Sequence, residues 1–145
     1  MFYIAADHAG HKLKKELEQI FKNQEMEFED LGAKNYDEQD DFTDFVVPLT
    51  KKVLETGNKG VLICGSGHGM CMAANKVAGI RAIVGYSISG SELGRKHNDA
   101  NVLCLAGRLL TKDHAAAIIK TFLNTEFSGE ERFIRRNQKI TELEK

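Results

Sequence analysis

Long hydrophobic runs are absent from this chain. Nothing approaches the roughly 18 consecutive apolar residues that cross a bilayer, so no membrane partner is expected. The first apolar run breaks at Asp7-His8, too early for a secretory leader. A strong excess of charge of either sign is absent too. Twenty basic against 21 acidic side chains leave a formal net charge of −1, which argues against nucleic acid as a partner. Cysteine is sparse: Cys64, Cys71 and Cys104 are too few and odd in number for a disulfide framework. That suits a reduced, cytoplasmic setting. Proline occurs once, and so few breakers leave room for long regular elements. Glycine, by contrast, is plentiful. Of the 13, Gly57, Gly60, Gly65, Gly67 and Gly69 crowd into one short stretch, where the backbone has a special task.

With 145 residues, 42% of them hydrophobic, the chain has the size of one domain, spanning 1–145. A domain this size buries about two-thirds of its unfolded surface. Two kinds of segment alternate. Phe2–Ala6 predicts a buried strand, and His11–Gln24 a helix with Leu13, Leu17, Ile20 and Phe21 at helical spacing. Met26–Leu31 predicts a weaker strand and Asn35–Asp44 a polar loop, with Asp44 capping a helix to about Glu55. Further strands are expected at Val61–Cys64, Arg81–Gly85 and Asn101–Leu105. Helices are expected at Met70–Val77, Ser87–His97, Thr111–Leu123 and Glu130–Glu144. This alternation specifies an α/β fold: a doubly wound, five-stranded parallel sheet with helices on both faces, a Rossmann-like three-layer sandwich, plus a C-terminal helix. Ligands of such sheets bind beyond the carboxyl ends of the strands. Asp7-His8, Cys64–Gly69 and Gly107-Arg108 all lie just there.

The run Cys64-Gly65-Ser66-Gly67-His68-Gly69 ends a strand and opens a helix. Alternate glycines let backbone N–H groups converge and a ligand approach closely. The helix N-terminus adds partial positive charge suited to phosphate or a developing oxyanion. Such a field favours the thiolate of a neighbouring cysteine, which makes Cys64 a candidate base or nucleophile. The plain alternative is a tight turn beside an inert, buried thiol. Counting excludes three named loops. A dinucleotide fingerprint needs glycine where Met70 stands and belongs after the first strand. A P-loop needs Gly-Lys-Ser/Thr, which does not occur. A cysteine-phosphatase loop needs arginine, again at Met70.

Asp7-His8 offers a carboxylate and an imidazole for acid–base work or phosphate contact, or simply a helix cap and an exposed histidine. His97-Asn98-Asp99-Ala100-Asn101 is a functional polar run or a helix-ending loop. Arg132, Arg135, Arg136 and Lys139 share much of one helical side, as an anion clamp or a solvated stripe. The acidic Asp37–Asp44 stretch reads as a soluble loop and helix cap rather than a metal site. His11 and His114 read as surface helical residues, Cys71 and Cys104 as core packing. No spacing of His, Cys and carboxylates resembles a zinc signature, so neither metal nor cofactor is expected.

Together these segments resemble the type B ribose-5-phosphate isomerases, a family that includes galactose-6-phosphate isomerase subunits. The matching pieces are Ala6–Gly10, Gly60–Lys76, Gly79–Ala82, Arg95–Leu103, Ala106–Arg108, and Arg132 with Arg135-Arg136. The resemblance runs from residue 4 to about residue 140. It implies metal-free aldose–ketose isomerisation of a phosphorylated sugar through an enediolate. On that resemblance Cys64 moves the proton between C1 and C2, Ser66 relays a proton to the sugar oxygens, and amides from Gly65 through Gly67 and His68 to Gly69 hold the enediolate oxygen. His97 opens the sugar ring, with Asp7 in the same pocket and Asn98 among the substrate contacts. Arg132, Arg136, Arg108 and His8 bind the phosphate. The resemblance further implies a homodimer, or a dimer of dimers, with sites shared between subunits.

Three departures from the family's pattern bear on specificity. Asp41-Phe42-Thr43 stands where Asp-Tyr-Pro is common, removing a phenol. His68 stands where an aliphatic residue is usual. One extra residue separates Gly129 from Arg132, and Phe133 replaces a frequent histidine. Ribose 5-phosphate is the expected substrate, and a six-carbon phosphate such as allose or galactose 6-phosphate the second reading. A non-enzymatic sugar-phosphate or nucleotide sensor is the third, and the thiol at position 64 counts against it.

Overall fold

The computed structural model describes residues 1–144. Five strands, β1 (Phe2–Ala6), β2 (Phe28–Asp30), β3 (Gly60–Cys64), β4 (Ala82–Val84) and β5 (Val102–Ala106), form one sheet in the order β2-β1-β3-β5-β4. Every pairing is parallel. The helices are α1 (His8–Asn23), α2 (Thr43–Thr56), α3 (His68–Ala74), α4 (Ile88–Asn98), α5 (Lys112–Asn124) and α6 (Glu131–Thr141). None of them is long and apolar enough to cross a membrane.

The three central strands are apolar throughout and buried at every position, as a sheet covered on both faces requires. On one face, Leu13, Leu17 and Phe21 of α1 and Ile118, Ile119 and Phe122 of α5 pack on Ile4, Ile63 and Leu103. On the other, Val46, Leu49 and Val53 of α2 and Met70 of α3 pack on Tyr3, Leu62 and Cys104. Helix α4 lies against α5, and α6 reaches α4.

Several boundaries differ from expectation. Helix α1 starts at His8, because the Asp7 carboxylate accepts the Gly10 N–H at 3.0 Å and caps the helix there. Asp44 is not the cap of α2; Phe42 holds that position without a side-chain bond, and Asp44 sits in the first turn, where its charge suits the helix dipole. Helix α3 opens at His68, two residues early, and is short. Gly67 supplies the turn in the left-handed region, at φ 82°. Helix α6 ends at Thr141 rather than Glu144. Ser87 caps α4, its side chain accepting the Gly90 N–H.

The chain leaves β1 toward β2 on one side, and from β3 it crosses to β4 at the far edge and returns to β5 on the other. The switch point therefore falls between β1 and β3, and the crevice at their carboxyl ends is where a doubly wound sheet holds its ligand. One glycine makes that crevice narrow. A Cβ on Gly10 would lie 2.2 Å from the Ile63 carbonyl oxygen, so only glycine lets α1 settle this close to β3. The result brings Asp7 and His8 beside Cys64.

Candidate active site

A cleft of about 460 Å³ occupies the crevice, with Asp7, His8, Phe42, Cys64, Ser66 and Arg108 among its lining residues. Cys64 ends β3 and is 5% exposed. Its sulfur accepts the Gly67 N–H at 3.2 Å, a bond the left-handed turn at Gly67 makes possible. The amides of Gly65, Ser66 and Gly69 meet no acceptor among the described residues, and they remain free to serve a ligand. The Ser66 hydroxyl accepts the His68 N–H at 3.4 Å. Arg108 is latched to the same loop by its own N–H, which donates to the Gly65 carbonyl at 3.1 Å. Its guanidinium lies over Gly65 and forms no ion pair among the described residues. The Phe42 ring covers Gly69, where a Cβ would come within 2.9 Å of it.

The other wall is built from the start of α1. Asp7 is buried, and burial pushes its carboxyl above the ordinary value while the Gly10 amide and His8 pull it back. His8 is tied to Asp40, which comes from the loop ahead of α2. The Asp40 Oδ1 accepts both the His8 backbone N–H, at 3.0 Å, and the ring Nδ1, at 2.6 Å. That bond is the main cause raising the His8 imidazole above its ordinary value. The acidic stretch is thus more than a soluble loop and cap. Asp40 was missed because nothing local separates it from its acidic neighbours, and its partner lies 32 residues away.

Asp7, His8 and Asp40 place one donor atom each within 4.8 Å of one another. Yet Asp40 occupies the His8 Nδ1 and the Gly10 amide occupies an Asp7 oxygen. The trio is a helix cap and an ion pair. His11, expected at the surface, has a buried Nε2 and packs edge-on to Tyr36. The exposed His68 ring meets Tyr86, whose hydroxyl donates to the Ser66 carbonyl at 2.6 Å and lies 3.2 Å from the His68 Nε2. Tyr86 carried no signal in the sequence.

His97, Asn98, Arg132 and Arg136 gather elsewhere. The His97 ring stacks on Phe133 at 4.3 Å and 17°. The Arg132 and Arg136 guanidinium carbons lie 4.5 and 5.7 Å from the same phenyl centroid. Buried Asn137 donates to the His97 carbonyl at 3.0 Å and accepts from Asn98 at 3.5 Å, which pins α6 to the end of α4. Helix α4 runs back from the carboxyl end of β4 to the amino end of β5, where Arg81 Nε donates to the Asn98 carbonyl. This second group therefore lies at the opposite end of the sheet from Cys64, about 16 Å away along a five-residue strand. One chain does not bring Cys64 and His97 together. A larger cleft, about 710 Å³ between α6 and β4, is lined by Ile80, Ile83, Ile140 and Leu143 and reaches Asn98.

The chain matches the family model described as Ribose/Galactose Isomerase over residues 2–140. It is 37% identical to ribose-5-phosphate isomerase B of Mycobacterium tuberculosis, covering 99% of this chain and 89% of the relative. Its fold superposes on a ribose 5-phosphate isomerase from Thermotoga maritima with a TM-score of 0.92, at 38% identity and 97% coverage of both chains. A ribose-5-phosphate isomerase B from Mycoplasma genitalium, solved with bound ribulose-5-phosphate, gives 0.91 at 40% identity, covering 99% of this chain and 95% of that one.

Proposed function

The chain belongs to the Ribose/Galactose Isomerase family, and from that premise we propose that it interconverts ribose 5-phosphate and ribulose 5-phosphate through an enediolate, without metal or cofactor. The observation that carries this reading is the Cys64 sulfur at the floor of the cleft, with a donated amide from Gly67, uncommitted neighbouring amides and the unpaired Arg108 cation around it. Proton transfer next to a carbonyl needs those parts: a base, donors for the developing oxyanion and a seat for the phosphate.

Cys64 takes the C2 proton of the open-chain aldose and returns it to C1. The Ser66 hydroxyl moves a proton between the two sugar oxygens, and the Gly65, Ser66 and Gly69 amides hold the charge on the enediolate. Ring opening comes first: His97 and Asp7 exchange protons with the ring oxygen and the anomeric hydroxyl. Burial keeps the Asp7 carboxyl above its ordinary range, which suits a group that must hold a proton in turn. Arg132 and Arg136 clamp the phosphate, helped by Arg108 and His8.

These groups cannot meet within one chain, and their placement at opposite ends of the sheet supports a homodimer. In that assembly the His97–Arg136 end of one subunit completes the Cys64 cleft of the other. Metal independence is supported by the prior commitment of the His8 Nδ1, which donates to Asp40, and of the Asp7 carboxylate, which accepts the Gly10 N–H.

Turnover assays on ribose, allose and galactose phosphates test the reading. Ribose 5-phosphate is expected to turn over best, unaffected by EDTA. Cys64→Ser is expected to lower turnover by about 10²–10⁴-fold at an unchanged melting temperature. Turnover of that variant within about tenfold of wild type would remove Cys64 as the base. A six-carbon preference would reassign the substrate, and phosphate binding without any turnover would make the chain a sensor.

A further inference from the structure

The Asp40 carboxylate makes two bonds to one residue. Its Oδ1 accepts the backbone N–H that opens α1 and the ring nitrogen of the same His8, which fixes both where the helix starts and how the imidazole is turned. The side chain is only 10% exposed, and its Oδ2 is buried with no hydrogen-bond partner among the described residues. Charge balance for this carboxylate therefore falls on the imidazole. The His8 Nε2 has no hydrogen-bond partner among the described residues, and His8 lines the cleft with Cys64 and Arg108.

We propose that Asp40 is a positioning residue for the reaction: it grips the His8 ring by Nδ1 and leaves the Nε2–H as a donor that the phosphorylated substrate meets. The inference rests on the reading that His8 contacts the phosphate. The groups facing His8 are Asp7 from its own helix cap, Asp40 from the loop ahead of α2, and Arg108 from the loop after β5. Tyr36 sits edge-on to the ring at 6.5 Å. The two carboxylates favour the imidazolium and Arg108 opposes it, with the Asp40 bond the largest influence. A group raised in this way keeps its charge below its own midpoint and loses it as the pH rises through that point. Asp40 thus carries the His8 charge to higher pH than a free histidine would, alongside the Arg108 guanidinium, which has no ion-pair partner among the described residues. Two cations converging on one cleft suit a phosphate dianion.

The test combines a ¹⁵N-histidine NMR titration with KM and kcat for ribose 5-phosphate measured across about pH 6 to 9. In the wild type, the His8 signal is expected to lose its proton above the midpoint of free histidine and to show the Nδ1-protonated form. Asp40→Asn, which keeps the shape and removes the charge, is expected to lower that midpoint. It should raise KM about tenfold on the alkaline side, with much less change in acid and little in kcat. Asp40→Glu is expected to recover part of both effects. A wild-type His8 that titrates at or below free histidine overturns the proposal, whether or not any variant folds. So does an Asp40→Asn protein whose His8 titration is unmoved. If the titration moves while the KM profile stays put, the phosphate contact of His8 is refuted, and the isomerase reading still stands or falls on the turnover assay.

Discussion

Mixing a Cys64→Ser chain with a His97→Asn chain is expected to restore activity that neither has alone. The reasoning starts from the sheet. Cys64 closes the carboxyl end of β3, while His97 sits at the far end of α4, beside the amino end of β5. A helix of 11 residues covers about 16 Å at 1.5 Å per residue, which matches the length of the strands it runs against. No rotamer change spans that gap, so a site that uses both residues must draw them from two chains. With two-fold symmetry, each homodimer variant carries the same lesion in both of its sites. A mixed dimer instead collects both lesions in one site and neither in the other. Random reassortment of equal amounts makes about half of all dimers mixed, each with one good site of two, so about a quarter of wild-type turnover should return. The assay is ribose 5-phosphate turnover after joint unfolding and refolding, with native mass spectrometry counting mixed dimers. Mixed dimers that are confirmed yet no more active than the parents would refute the shared site.

Three further outcomes follow from the same structure. Arg132→Ala and Arg136→Ala should each raise KM by the equivalent of about 1.5–3 kcal/mol. Arg135→Ala should do less, since Arg135 lies about 100° round the helix from Arg136; equal damage from all three would point to a general field. Gly10→Ala should cost about 2 kcal/mol or more, because its Cβ would meet the Ile63 carbonyl at 2.2 Å; an unchanged melting temperature would contradict the close approach of α1 to β3. Burial pushes the Asp30 carboxyl up, but the Lys14 ammonium at 2.5 Å and the Gly32 amide pull it down further, to about 2 from an ordinary 3.8. Its depressed value makes Asp30 stabilising above the unfolded midpoint, with that contribution lost as the pH falls from about 4 to about 2. Denaturant unfolding at several pH values should show Asp30→Asn flattening this acid limb; an unaltered slope would exclude Asp30 as its source.

The elements of the fold were legible because each leaves a local trace. Phe2–Ala6, Val61–Cys64 and Val102–Ala106 are apolar at nearly every position, which only a strand covered on both faces requires. The amphipathic spacing of Leu13, Leu17 and Phe21 and of Ile118, Ile119 and Phe122 marked α1 and α5. The placement of Asp7-His8 and of the Cys64 loop just after strands followed from the same pattern. So did the expectation of a ligand at the carboxyl ends of the sheet.

Tertiary structure alone decided the rest. Burial of apolar faces drives the elements together without choosing neighbours, so the insertion of β5 between β3 and β4 depends on how α4 and α5 pack, which no single segment encodes. The stack of His97 on Phe133, the tether from Tyr86 to Ser66 and the grip of Asp40 on His8 each join residues 20 or more positions apart. A hydrogen-bonding side chain in a loop is chemically alike at Asp37, Asp40 or Asp41. Only the path of the closed loop brings one of them within 2.6 Å of the imidazole. The division of the candidate site between the two ends of the sheet has the same origin. Sequence determines which residues can do the chemistry, but the direction in which α4 returns along the sheet determines that Cys64 and His97 of one chain do not share a site.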